Sequence, residues 1–182
     1  GNSDSTTQSV DPATAVSCTP NDPPDDPDGS TDLRQFENDA GKIQLSEGDT
    51  TADNTPFFEF DMTDPNNNLV GYQIMIDDDA GFTDPQIIDY TWTGSTEAGS
   101  HSFDYQVPSD CAVAGYDECV TSLSDDSFYW RVQAIDDVGN RSAWVEFATA
   151  GVVDFTVDAT LASISTFTVE DTTAPGPVTI TL

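Results

Sequence analysis

The chain has 182 residues, 36% of them hydrophobic, and sets 34 Asp and Glu against four Lys and Arg, a formal net charge of −30. That length and apolar fraction suit one main domain with extensions rather than two large cores. So acidic a surface repels phosphate backbones and anionic lipid heads, which excludes nucleic-acid binding, and no run of about 18 apolar residues is present to span a bilayer.

Residues 1–32 are rich in Ser, Thr, Asp and Pro. Within them Asn21-Asp-Pro-Pro-Asp-Asp-Pro-Asp-Gly29 suits neither a helix nor a central strand, because Pro has no N–H to donate and the stretch has too little apolar surface to bury. Residues 1–41 therefore read as an extended N-terminal segment. Such a polar tail is most easily ordered by lying along its own domain or along neighbouring copies. With Gly1 first, and neither an initiating Met nor a basic, apolar leader, the expectation is a processed piece of a longer product.

From Ile43 onward, short runs of β-formers alternate with Gly, Pro, Asn and Asp. The predicted strands are residues 43–45, 56–62, 69–76, 86–92, 101–107, 127–135, 143–147 and 152–157. The clearest is the sixth, where Phe128, Trp130, Val132 and Ala134 alternate with Tyr129, Arg131, Gln133 and Ile135, so that one face enters a core. Asp136 to Asn140 supply turn chemistry, and Ala143, Val145 and Phe147 resume the alternation. No segment sustains a helical period. Eight short strands point to an all-β sandwich.

Phe128-Tyr-Trp-Arg-Val-Gln-Ala134 resembles the Tyr-x-x-x-Val-x-Ala strand of fibronectin type III and related immunoglobulin-like modules of bacterial surface proteins. Leu123 sits where that family places the leucine of its tyrosine corner, although Phe128 replaces the tyrosine and removes the hydroxyl bond. Gly71-Tyr-Gln-Ile-Met-Ile-Asp-Asp-Asp-Ala-Gly-Phe82 is similar to the family's central strand and following turn. This implies that Tyr72, Ile74 and Ile76 face inward and that Phe58 or Phe60 replaces an early core tryptophan. The resemblance spans about residues 42–158. It implies an immunoglobulin-like (fibronectin type III-like) β-sandwich with a core of Phe60, Tyr72, Ile74, Leu123, Phe128, Trp130 and Val132, a decorated loop between Trp92 and Leu123, and extended segments at 1–41 and 159–182. Residues 171–182 resemble the linker and first strand that open a following module.

Cys111 and Cys119 enclose seven residues, including Gly115 and polar side chains that let the chain turn back. A disulfide there would contribute roughly 2–3 kcal/mol and would place the protein outside the cell. Cys18 is left over, to pair with another chain, carry a modification or stay a free thiol. No cofactor is required, but Ca²⁺ suits the Asp-rich turns, with Asp61 and Asp64, and Asp77 and Asp79, as candidate ligands. The rival reading is Asp capping its own turn. Tyr90, Trp92, Tyr105 and Tyr116 form a candidate patch for glycan or protein, and Asn140-Arg-Ser142 matches a glycosylation acceptor.

His101 is the only histidine, and no nucleophile elbow, zinc-helix or phosphate-loop motif accompanies it, so no enzyme is expected. The expected function is a noncatalytic extracellular structural module, a subunit or spacer of a cell-surface assembly. Its partners would be further copies or neighbouring modules, and residues 14–18 or 178–182 could complete another copy's sheet edge. The alternative is a glycan- or protein-binding accessory module of a secreted enzyme or adhesin.

Overall fold

The computed structural model describes residues 20–83, 86–97, 100–107, 120–163, 166–169 and 178–181. Among these residues twelve strands form: β1 Leu33–Phe36, β2 Gln44–Leu45, β3 Asp49–Thr51, β4 Phe57–Met62, β5 Leu69–Asp77, β6 Ile88–Glu97, β7 His101–Gln106, β8 Asp126–Asp136, β9 Val145–Glu146, β10 Phe155–Val157, β11 Thr166–Val169 and β12 Val178–Thr181. One sheet has the order β2-β1-β4-β7, and the second has the order β3-β10-β8-β5-β6 with β9 beside the middle of β8. All pairs are antiparallel except β3 with β10. Ala159–Ser163 form a 3₁₀ turn.

The two sheets enclose one core because every second side chain on the facing strands is apolar. Phe58 of β4 meets Trp130 of β8 at 4.9 Å between ring centroids and Phe155 of β10 at 5.9 Å, while Phe60 meets Tyr72 of β5 edge-on at 4.6 Å. Phe60, Tyr72, Ile74, Leu123, Phe128, Trp130 and Val132 all lie in this core, none more than 3% exposed. Arg131, on the outer side of β8, lies between the rings of Phe82 and Trp144, 4.1 and 4.7 Å from their centroids.

Three features depart from the sequence reading. Residues 33–36, assigned to the extension by composition, form the second strand of a sheet, with Leu33 opposite Phe60 and Gln35 opposite Phe58. The sandwich therefore begins before residue 42. Beyond the turn, Ser142 rather than Ala143 is buried, because its Oγ accepts the Ala134 N–H at 2.9 Å and so takes the place of a strand partner. Val178–Thr181, read as the first strand of a following module, pairs with Thr166–Val169.

Gly71 shows how tightly β5 and β6 approach. A Cβ there would collide with the Trp92 carbonyl oxygen, and the register slips between Leu69 and Gly71. Only a residue without a side chain fits this bulge.

A buried polar knot joins the sheets. Gln35 is fully buried; its Oε1 accepts the Trp130 indole N–H at 3.0 Å, and its Nε2 donates to the carbonyls of Asp154 at 2.7 Å and Ser46 at 3.2 Å. Asp154 Oδ2 in turn accepts the Trp130 backbone N–H at 2.7 Å, while Oδ1 has no partner. Burial, with Glu47 and Glu146 nearby, pushes this carboxyl up from 3.8 to about 8.

Gln35→Leu strands the indole N–H, and we expect a loss of about 2 kcal/mol in urea unfolding. For Asp154 the folded value lies above the unfolded one, so the native state holds the extra proton. The contribution to stability is full below pH 3.8 and is lost as pH rises through about 8. Asp154→Asn should therefore gain on the wild type steadily across that window, read as melting temperature at stepped pH; parallel curves would contradict this assignment.

Candidate functional site

Two places on the molecule carry candidate function: the ends where the chain enters and leaves the sandwich, and a cleft along one edge.

At the entry end, residues 20–29 are strapped across two turns. Asn21 Nδ2 donates to Asp136 Oδ2 at 2.7 Å, Asn68 Nδ2 donates to Asn21 Oδ1 at 2.9 Å, and Asp22 N donates to Asn66 Oδ1 at 2.6 Å. Asp25 N reaches the Thr63 carbonyl at 3.0 Å, and Ala143 N donates to Asp26 Oδ1 at 2.6 Å. Pro24 and Pro27 are buried beneath the strap. Asp136 organises this end. It is 1% exposed, and beyond Asn21 it accepts the N–H groups of Val138 at 3.0 Å and Asn140 at 2.7 Å and the Asn140 side chain at 2.9 Å. The turn residues read from the sequence thus serve a second purpose, holding a distant segment.

The exit lies at the other end of β8. Asp158 N donates to the Thr51 carbonyl at 2.9 Å and Ala159 N donates to Asp125 Oδ1 at 3.0 Å. Because Asp125 precedes β8 and Asp136 ends it, the 11 residues of that strand separate the two connections. At about 3.3 Å per residue that is roughly 35 Å.

The cleft opens where β6 and β7, each an edge strand of its own sheet, face each other across the sandwich. It has a volume of about 250 Å³ and is lined by Tyr72, Trp92, His101, Ser102, Phe103 and Asp104. Trp92 stacks on Tyr72 at 5.9 Å and 26° and meets Phe103 edge-on at 5.7 Å. His101 stands edge-on to Phe103 at 4.3 Å, and the Tyr72 hydroxyl donates to the Asp104 carbonyl at 2.7 Å. Trp92 and His101 are half-buried, whereas Phe103 is 5% exposed.

Among the described aromatic candidates, only Trp92 reaches this cleft. Tyr90 and Tyr105 are 4% and 0% exposed and pack on each other at 5.2 Å, so they are core residues rather than ligand contacts. The reason is strand parity: each occupies an inward position of an edge strand. Tyr116, Cys18, Cys111 and Cys119 lie outside the described residues.

The acidic candidates fall into two pairs at opposite ends of β5. Asp61 accepts from Arg34 Nη1 at 3.0 Å and from the Ser102 hydroxyl, and Arg34 holds its carboxyl below the usual value against the opposing cost of burial. Asp64 Oδ1 caps the β4–β5 turn through Asn66 N at 2.7 Å. Asp77 accepts the Asp78 N–H at 2.9 Å, and burial raises its carboxyl. Asp79 caps its own turn through Gly81 N at 3.0 Å and the Thr83 hydroxyl at 2.6 Å. Among the described residues, no group of three or more His, Cys, Asp or Glu is arranged to hold a metal ion. Asn140 Nδ2, the atom a sugar would join, is already bonded to Asp136.

No helix among the described residues is long and apolar enough to cross a membrane. Neither a protein-family model, nor a curated protein, nor a solved structure matches the chain. The coarse class that the geometry defines is a two-sheet, all-β sandwich.

Asp136→Ala removes an acceptor that serves four donors and releases the strap. The expected cost is about 3 kcal/mol, read from denaturant midpoints, with faster proteolysis within residues 20–32.

Proposed function

We propose that the chain is a noncatalytic structural module, an immunoglobulin-like (fibronectin type III-like) sandwich serving as a spacer or subunit of an extracellular, cell-surface assembly. One observation carries this reading: the strap enters at the Asp136 end of β8 and the chain leaves at the Asp125 end, so units joined head to tail extend end to end rather than folding back. The strand order supports the immunoglobulin-like assignment. β5 pairs with β8, and β4 pairs with both β1 and β7, so β4 and β5, and β6 and β7, are split between two mainly antiparallel sheets, as in Greek-key sandwiches. A formal charge of −30 suits a surface permanently bathed in solvent and counterions.

Three copies joined head to tail test the proposal by small-angle X-ray scattering. The maximum dimension is expected to grow by at least about 35 Å with each added copy. A compact particle whose dimension stays level as copies are added would overturn it.

A further inference from the structure

We infer that the cleft between β6 and β7 is a binding site for one neutral sugar ring of a polysaccharide, with Trp92 as its platform. The inference is independent of the spacer role, since it rests on side-chain geometry at the sandwich edge and not on where the chain enters or leaves.

The cavity of about 250 Å³ falls below the roughly 300–1,000 Å³ of sites for drug-sized ligands, so it accepts one ring rather than a folded chain. Its floor is rigid. Trp92 is stacked on Tyr72 on one side and met by the edge of Phe103, and Tyr72 and Phe103 lie 5.3 Å apart. These contacts fix the indole, so a ligand meeting it loses little further conformational freedom. Trp92 also lies across Gly94, where a Cβ would come within 3.0 Å of Cζ2, so a side chain at position 94 would crowd that part of the ring.

The rim is polar. His101 shares the side of β7 that carries Phe103, and Ser102 and Asp104 flank Phe103 along the strand, the Ser102 hydroxyl already donating to Asp61. A pyranose presents an apolar C–H face with hydroxyls at its perimeter, which matches an aromatic plate edged by donors and acceptors. An apolar ligand would desolvate His101 on that rim, and an anionic one would be repelled by the net charge of −30. Because β6 and β7 are both edge strands, the remainder of a long chain can run past the cleft without entering the sandwich.

Saturation-transfer NMR with cellohexaose, chitohexaose and mannohexaose at millimolar concentration provides the test. Transfer is expected to at least one of the three. Trp92→Ala should weaken that binding by at least about tenfold and His101→Ala to a smaller extent, whereas Trp144→Ala, beside Arg131 on the outer face of the β8 sheet, should leave it unchanged. If Trp92→Ala unfolds, the wild-type transfer and His101→Ala still decide. No transfer to any of the three, or equal binding by wild type and both cleft variants, would overturn the inference while leaving the scattering result untouched.

Discussion

A single hydrogen bond, from the Trp130 indole to Gln35, sets the register of one sheet against the other. Trp130 is the largest fully buried side chain, and an indole N–H left without an acceptor in such a core would cost on the order of 1–3 kcal/mol. Gln35 supplies the acceptor only when β1 lies opposite β4 with Gln35 facing Phe58, so satisfying one donor also aligns a strand. The same glutamine reaches the Asp154 carbonyl, and Asp154 reaches back to the Trp130 backbone, closing a three-residue loop across the core. Apolar burial drives the layers together without direction; this knot chooses among the alignments they could adopt.

The charge distribution works against that compactness. All four cationic side chains are engaged: Arg34 with Glu59 and Asp61, Lys42 with Glu59 and Asp39, Arg131 between two aromatic rings, and Arg141 with Gln73. Exposed ion pairs of this kind contribute about 0–1 kcal/mol each, and the greater part of the negative charge has no cation beside it. Self-repulsion is therefore left to dissolved salt to screen, and the balance between core and surface shifts with ionic strength.

Much of the sandwich could be read in the sequence, and the failures are instructive. Strand β8 was legible because Phe128, Trp130, Val132 and Ala134 keep a period of two through a run rich in β-formers. Strand β1 was not, because its central inward residue is Gln35, and a polar side chain at a core position looks like solvent-facing chain until its indole partner is known. Asp136 to Asn140 announced a turn, but nothing local indicated that Asp136 also holds Asn21, 115 residues away. The cleft was half visible. Trp92 stands out as an aromatic at the start of the long loop, whereas Tyr72, Phe103 and His101 join it only once two sheets are stacked. Tyr90 and Tyr105 suit a binding patch by residue type alone, and only the stacked sheets show that both face inward.

The course of the first and last strands of the sandwich has a mechanical consequence. β1 runs from the strap end toward the opposite end, since Leu33 pairs with Phe60 and Phe36 with Phe57. β10 runs the same way, with Phe155 beside Phe128 and Val157 beside Asp126. Tension between the two connections therefore drags each of these strands lengthwise against its antiparallel neighbour. The inter-strand bonds are then strained in shear and together, whereas a strand pulled from its side would part from its sheet one bond at a time. A molecule wired in this manner yields abruptly at a high threshold instead of peeling gradually.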